Sequence, residues 1–292
     1  MYEQIEQNNR NTIFLFAAFS LLIISLSWVL GEYIFGIGSA GLVIGAIFLI
    51  VYSLINYFFA DKIVLAVSGA REVKKEEYPY LFNIIEGLSI AAGIPKPRAY
   101  VIDDTALNAF ATGRDPQHAM IVVTTGMLQK LNRQELEGVI AHEMSHIQNY
   151  DIRVMTITTV FVGLSVLLSD LILRSVLWGN NRRDDKAGLI LIVIGLALAI
   201  LTPIIATVIK LAISRQREYL ADASSALLTR NPDGLASALE KISGDREILE
   251  AANKATAHLY IDNPLKNRKE FFDSLFSTHP PIQDRIARLR KM

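Results

Sequence analysis

Five consecutive residues, His142-Glu143-Met144-Ser145-His146, carry the side chains needed to hold a metal ion and to move a proton beside it. Residues four apart on a helix share one face, one turn apart, so both imidazoles can reach a single ion. Two nitrogens placed this way can bind a tetrahedral Zn²⁺ at about 2.0–2.1 Å. Glu143 adjoins the first ligand without joining the ligand set. It is therefore suited to act as general base toward water whose pKa zinc lowers to about 7, and then to hand the proton to a leaving amine. The competing reading is a pair of surface histidines on an amphipathic helix. Ile140, Ala141, Met144 and Ile147 count against it, because histidines in apolar surroundings need partners and a metal supplies one.

Two histidines leave a catalytic zinc one protein ligand short. The chain has no cysteine, so the third must be histidine or carboxylate, and neither disulfides nor thiolate sites are available. Arg217-Glu218-Tyr219-Leu220-Ala221-Asp222 supplies two carboxylates four apart in helical register. Glu218 can complete a His₂Glu set for one Zn²⁺ per chain. Asp222, one turn on, can accept a hydrogen bond from the non-ligating nitrogen of a zinc histidine and fix its orientation. A solvated carboxylate pair is the alternative.

The elements that must position these groups are partly legible. Asn132 is a good N-cap, and Glu135 three residues later completes a capping-box pattern ahead of apolar Leu136, Val139, Ile140 and Ile147, which predicts a continuous helix through both histidines. Val101-Ile102 and Ile121-Val122-Val123 are strand-like. Asn108 to Ala111 lie between them, as an edge strand able to add an extended peptide or as an ordinary buried hairpin.

Hydrophobic residues make up 51% of the 292, and mean hydropathy is +0.32. The excess is concentrated in four runs. Thr12 to Leu30 and Tyr33 to Ala60 are uncharged, separated by Gly31-Glu32, and each approaches or exceeds the roughly 20 residues that span a bilayer as a helix. Val154 to Trp178 contains only Asp170 and Arg174 as charges, and Gly188 to Ser214 only Lys210. A cleaved signal peptide competes for the first run, but its apolar stretch is too long and its basic flank too weak. The chain thus divides into an N-terminal transmembrane hairpin (11–60), a first polar part with the zinc helix (61–153), a second hydrophobic hairpin (154–214) and a second polar part with Glu218 (215–292). This is an α-helical integral membrane protein with about four membrane helices and a catalytic domain in two pieces.

Glu218 must return to the zinc, so residues 154–214 cross the bilayer twice or not at all. Lys62, Arg71, Lys74, Lys75, Arg215 and Arg217 then share one side, and positive-inside counting turns the catalytic domain to the cytoplasm of an inner-membrane protein. Arg182, Arg183 and Lys186 in the opposite loop argue the other way, unless the later pair inserts only shallowly. Lys+Arg and Asp+Glu balance at 29 each, so charge points to no nucleic-acid partner. The expected partners are polypeptide substrates and the lipid bilayer; no oligomeric state is implied.

The H-E-x-x-H, the downstream E-x-x-x-D and the two N-terminal runs resemble the HtpX-type membrane zinc metalloproteases, relatives of the CAAX prenyl proteases. Nearly the whole chain is covered. Asn108-Ala109-Phe110-Ala111-Thr112-Gly113 is similar to the family's edge-strand motif, His142 through Asp151 to its extended zinc helix, and Thr278-His279-Pro280-Pro281 with Arg285-Ile286 to its C-terminal signature. The resemblance implies an α+β gluzincin-type metallopeptidase fold and cleavage of misfolded or damaged membrane proteins. It implies substrate binding along Asn108, Ala109 and Phe110, and Glu143 as the catalytic glutamate. His279 and Arg285 could stabilise the oxyanion opposite zinc, or His279 could simply cap the last helix, from about Pro281 to Leu289. His118 and His258 sit in no motif and read as loop histidines. The rivals are a prenyl-peptide processing protease, which has the same chemistry but more spans, and a non-enzymatic metal-binding membrane protein. A transporter would carry its ionisable residues inside the spans, whereas here the candidate ligands lie outside all four runs.

Overall fold

The computed structural model describes residues 2–33, 36–159, 215–250, 252, 256, 259–262 and 280–292. Two long helices open it, α1 (Tyr2–Tyr33) and α2 (Ala40–Val67), packed against each other. The break between them is not at Gly31-Glu32, which α1 runs straight through. It falls just beyond, where Gly36 and Gly38 take φ of 64° and 56°, left-handed values that only glycine adopts without penalty. The first helix also starts ten residues before the apolar run, and its polar first turns reach the catalytic region. Among the described residues no helix is long and apolar enough to cross a membrane; the side chains of three α2 positions (53, 56 and 57) are not among them.

A four-stranded sheet follows, built from β1 (Arg71–Glu72), β2 (Arg98–Ile102), β3 (Ala109–Thr112) and β4 (Met120–Thr124) in the order β1-β2-β4-β3. Strands β2 and β4 are parallel, and β3 pairs antiparallel with β4, Phe110 opposite Val122. The predicted edge strand is therefore at an edge. Alternate side chains leave opposite faces. Val101, Ala109, Ala111, Ile121 and Val123 pack toward the helices, while Tyr100, Ile102, Phe110, Met120 and Val122 meet Val64 and Leu65 at the end of α2, with Met155 and Tyr260. Both faces are covered, so the strands are apolar almost throughout.

The helices on the first face are α3 (Pro79–Ala92), α4 (Thr125–Lys130), α5 (Arg133–Gln148), α6 (Arg215–Thr229), α7 (Pro232–Gly244) and α8 (Ile282–Leu289). Helix α5 lies at the centre, between the sheet and helices α6 and α7. Its capping box forms as predicted: Asn132 Oδ1 accepts from the Glu135 amide at 3.0 Å, and a Glu135 carboxylate oxygen accepts from the Asn132 amide at 2.7 Å. The approach of α7 to α5 is close because Gly138 has no side chain; a Cβ there would stand 2.7 Å from the Leu235 amide nitrogen. The Ser225 hydroxyl on α6 donates to the Gly138 carbonyl at 2.7 Å and fixes the third helix against the same turn. Of the predicted later pair of apolar segments, residues 154–159 are helical and buried; the remainder, with Asp170, Arg174, Lys210 and the 179–186 loop, lies outside the described residues.

Candidate metal centre and active site

Helix α5 presents His142 and His146, and α6 presents Glu218, all buried. The two Nε2 atoms are 3.2 Å apart, and each lies 3.6 Å from a Glu218 carboxylate oxygen. The other ring nitrogens are occupied. His142 Nδ1 is 3.1 Å from Asp222 Oδ1, and His146 Nδ1 is 3.0 Å from Asp151 Oδ2. A carboxylate only accepts, so each Nδ1 carries the proton and each Nε2 turns a lone pair to the common point. Arg285 Nη2 also approaches His142 Nδ1, at 3.4 Å. Both groups cannot donate, and the shorter contact with the carboxylate decides the tautomer.

Two lone pairs facing each other at that distance repel unless something positive lies between them. A tetrahedral zinc with bonds of about 2.0–2.1 Å separates its ligand atoms by about 3.3 Å, and the three donors lie within 4.8 Å of one another. The residues fit the ion. The surrounding field fits it too. Burial opposes charge on His142, yet its contacts with Asp222 and Glu218 outweigh that and raise it to about 9. His146 is raised in the same sense, burial being overcome by Asp151 and by the charge of Glu218. The pocket favours positive charge.

Glu143 is 2% exposed, and burial pushes its carboxyl above the usual range. The backbone N–H of Ala111 on β3 acts in the opposite sense and lowers it, more weakly than burial raises it.

Ala109 and Phe110 lie on that strand and Asn108 immediately precedes it, each with distinct duties. Asn108 Nδ2 donates to the Asp262 carbonyl at 3.1 Å, and the Ile261 amide donates to the Ala109 carbonyl at 3.0 Å. The Phe110 ring is fully buried on the far face, edge-on to Tyr260 at 5.0 Å between centroids. Its side chain belongs to the core, so what this strand offers a peptide is backbone. At Ala109 that backbone already holds residues 259–262.

Arg285, from α8, is 1% exposed. Its Nε and Nη2 bind both oxygens of Asp222, at 2.9 and 2.7 Å, and Nη1 donates to the Ile261 carbonyl at 3.2 Å. Burial alone would raise Asp222, but Arg285 and His142 hold it below the usual carboxylate range. The guanidinium thus locks the carboxylate that orients His142. Removing one partner of a buried charge pair strands the other, at a cost of roughly 3–5 kcal/mol. Arg285→Met is expected to lower stability by about that amount in thermal unfolding, and Asp222→Asn in the same chain to recover part of it.

His279 and His258 lie outside the described residues. His118 is exposed and contacts Asp115 and Arg114, away from the metal ligands. Sequence reasoning missed Asp151 as the acceptor for His146. It comes five residues after the ligand, and Tyr150 turns it back by adopting φ of 61°, a left-handed value uncommon outside glycine.

Residues 75–292 match the family model for Peptidase family M48. The chain belongs to peptidase family M48. It is a metalloprotease, a hydrolase of peptide bonds. A "Protease HtpX homolog" of Dictyoglomus thermophilum is 52% identical over 100% of this chain and 94% of the relative. Another, from Thermoanaerobacter pseudethanolicus, is 48% identical over 100% of this chain and 98% of its own length. Among solved structures, the crystal structure of S. mikatae Ste24p shares the fold, with a TM-score of 0.51 at 19% identity. The alignment covers 99% of this chain and 66% of that one. M48 membership agrees with the helix-rich domain around a small sheet found here.

Proposed function

We propose that this M48 peptidase is a zinc-dependent endopeptidase that works at a membrane surface on misfolded or damaged membrane proteins. The observation that carries the zinc reading is the convergence of two imidazole lone pairs and a carboxylate beside a buried glutamate that takes no part in that set.

His142, His146 and Glu218 would hold the ion. When bound, zinc supplies a Lewis acid that polarises the scissile carbonyl and lowers the pKa of water toward 7. Glu143 takes a proton from the attacking water as the new C–O bond forms, and gives it to the amine nitrogen as the C–N bond breaks. Asp222 and Asp151 hold the two imidazoles in the tautomer that leaves Nε2 open. Arg285 positions Asp222. A substrate strand adding to β3 would meet the Ala111 backbone beside Glu143, and at Ala109 it must displace residues 259–262.

Membrane residence rests on the long apolar runs and on where α1 and α2 direct them. Ile13, Phe14 and Leu21 on α1, and Val43, Ile44, Ile47, Ile50 and Leu54 on α2, are each more than half exposed. An apolar face of that extent marks contact with lipid or protein. The proposed topology keeps 61–153 and 215–292 together in the cytoplasm. Arg217 weighs less in the positive-inside count than its neighbours, because it is spent on an internal contact.

Purified protein should contain one zinc per chain and degrade an unfolded polypeptide. Chelation should abolish degradation and added Zn²⁺ restore it, read by metal analysis and gel. Hydrolysis that survives complete removal of metal would overturn the proposal.

A further inference from the structure

Asn8, on the second turn of α1, is 1% exposed, and its carboxamide is used on both sides. Nδ2 donates to Asp151 Oδ1 at 2.6 Å and to the Asn149 carbonyl at 2.9 Å. Oδ1 accepts from Arg217 Nη1. The partners admit only one orientation of the amide, since a carboxylate and a carbonyl accept while a guanidinium donates. The other oxygen of that same Asp151 meets His146 Nδ1 at 3.0 Å. Arg217 immediately precedes Glu218, and its Nη1 lies 3.6 Å from Asp151 Oδ1.

One side chain, from a helix more than 130 residues earlier in the chain, therefore touches the segment after the H-E-x-x-H helix and the segment before the third ligand. A buried carboxamide costs free energy unless its groups are satisfied. Here they are met by groups from the two segments that must be brought into register for the ligand set to close. We infer that Asn8 is a positioning residue of the metal centre. It holds the Asp151 carboxylate in the orientation that fixes His146, and so makes the start of α1 a part of the catalytic unit as well as the lead-in to an apolar helix. The inference rests on the reading of His142, His146 and Glu218 as zinc ligands.

The test is zinc affinity of the full chain, measured by competition with a chromogenic chelator, in wild type, Asn8→Ala, Asp151→Asn and the double variant. Losing a partner that orients a metal histidine costs roughly 10–100-fold in affinity. Asn8→Ala is expected to weaken zinc by about tenfold, at the lower end of that range because it acts through Asp151. In the Asp151→Asn background the same change should cost little, since neighbours acting in series are not additive. A merely structural asparagine would cost the same in both backgrounds. KM for an unfolded substrate should stay constant. Asn9→Ala, which removes only a contact to Arg153 on the neighbouring position, should match wild type. Should Asn8→Ala fail to fold, Asn8→Asp reads the same constant, keeping the volume and the Arg217 acceptor while setting a carboxylate against Asp151. Unchanged affinity in either variant, or an undiminished loss in the double variant, overturns the inference alone. Wild-type protein that takes up no zinc overturns the ligand reading beneath it.

Discussion

Replacing Glu143 with alanine is expected to leave zinc bound while cutting hydrolysis of an unfolded substrate by about 10²–10⁴-fold, the range a positioned general base contributes. The two halves of this expectation come from separate features. Zinc is retained because Glu143 lies outside the group of His142, His146 and Glu218 whose donor atoms converge. Activity is lost because no described carboxylate among those at the centre is similarly placed: Asp151 and Asp222 are hydrogen-bonded to the imidazoles, and Glu218 faces the metal position. Burial raises the Glu143 carboxyl, which makes it a better proton acceptor than an exposed glutamate while leaving it able to give the proton back. Full turnover by Glu143→Ala, with metal content measured on the same sample, would remove it from the mechanism.

Glu218→Ala should do the reverse and lose the metal first. Two imidazoles remain, and they carry no charge to offset that of the ion. The affinity loss should exceed the roughly 10–100-fold that follows from losing a supporting hydrogen-bond partner. It should appear in the same chelator competition, with activity recovering only at high added zinc. The variant also relieves Arg285 of a carboxylate 3.8 Å from its Nη1, although Asp222 still binds that guanidinium on two sides. Folding should survive better than metal binding. Unaltered zinc affinity would reassign the third ligand.

Much of the α5 side of the site was readable because it is local. The capping box, the four-residue spacing and the apolar flanks all lie within the seventeen residues from Asn132 to Gln148, and helical geometry converts such spacing directly into position. Glu218 was readable for a different reason: coordination chemistry required a third ligand, and α6 offered carboxylates at the right period. Asp222 followed from the same period. The contacts that escaped are those made by turns and by distance. Asp151 reaches His146 only because Tyr150 leaves the helical region, and no periodicity announces such a residue. Asn8 sits in a polar stretch ahead of an apolar run, where nothing in the sequence pairs it with residues near 150 and 217. Phe110 lies on the strand expected to bind substrate through its backbone, and the strand's alternation turns its ring into the core. Gly31 looked like the break in the first hairpin, yet one glycine inside a helix costs only about 1 kcal/mol, and the two left-handed glycines just beyond did the turning.

The chain order of these contacts has a consequence for synthesis. His142 and His146 leave the ribosome well before Glu218, and Arg285, which locks Asp222 onto its histidine, comes later still, 63 residues after that aspartate. A nascent chain can present the H-E-x-x-H helix, and even all three ligands, while the imidazole that Asp222 orients is still held by an unclamped carboxylate. The last helix closes the arrangement. The guanidinium that clamps Asp222 is thus the last part of the centre to be synthesised, after every proposed metal ligand.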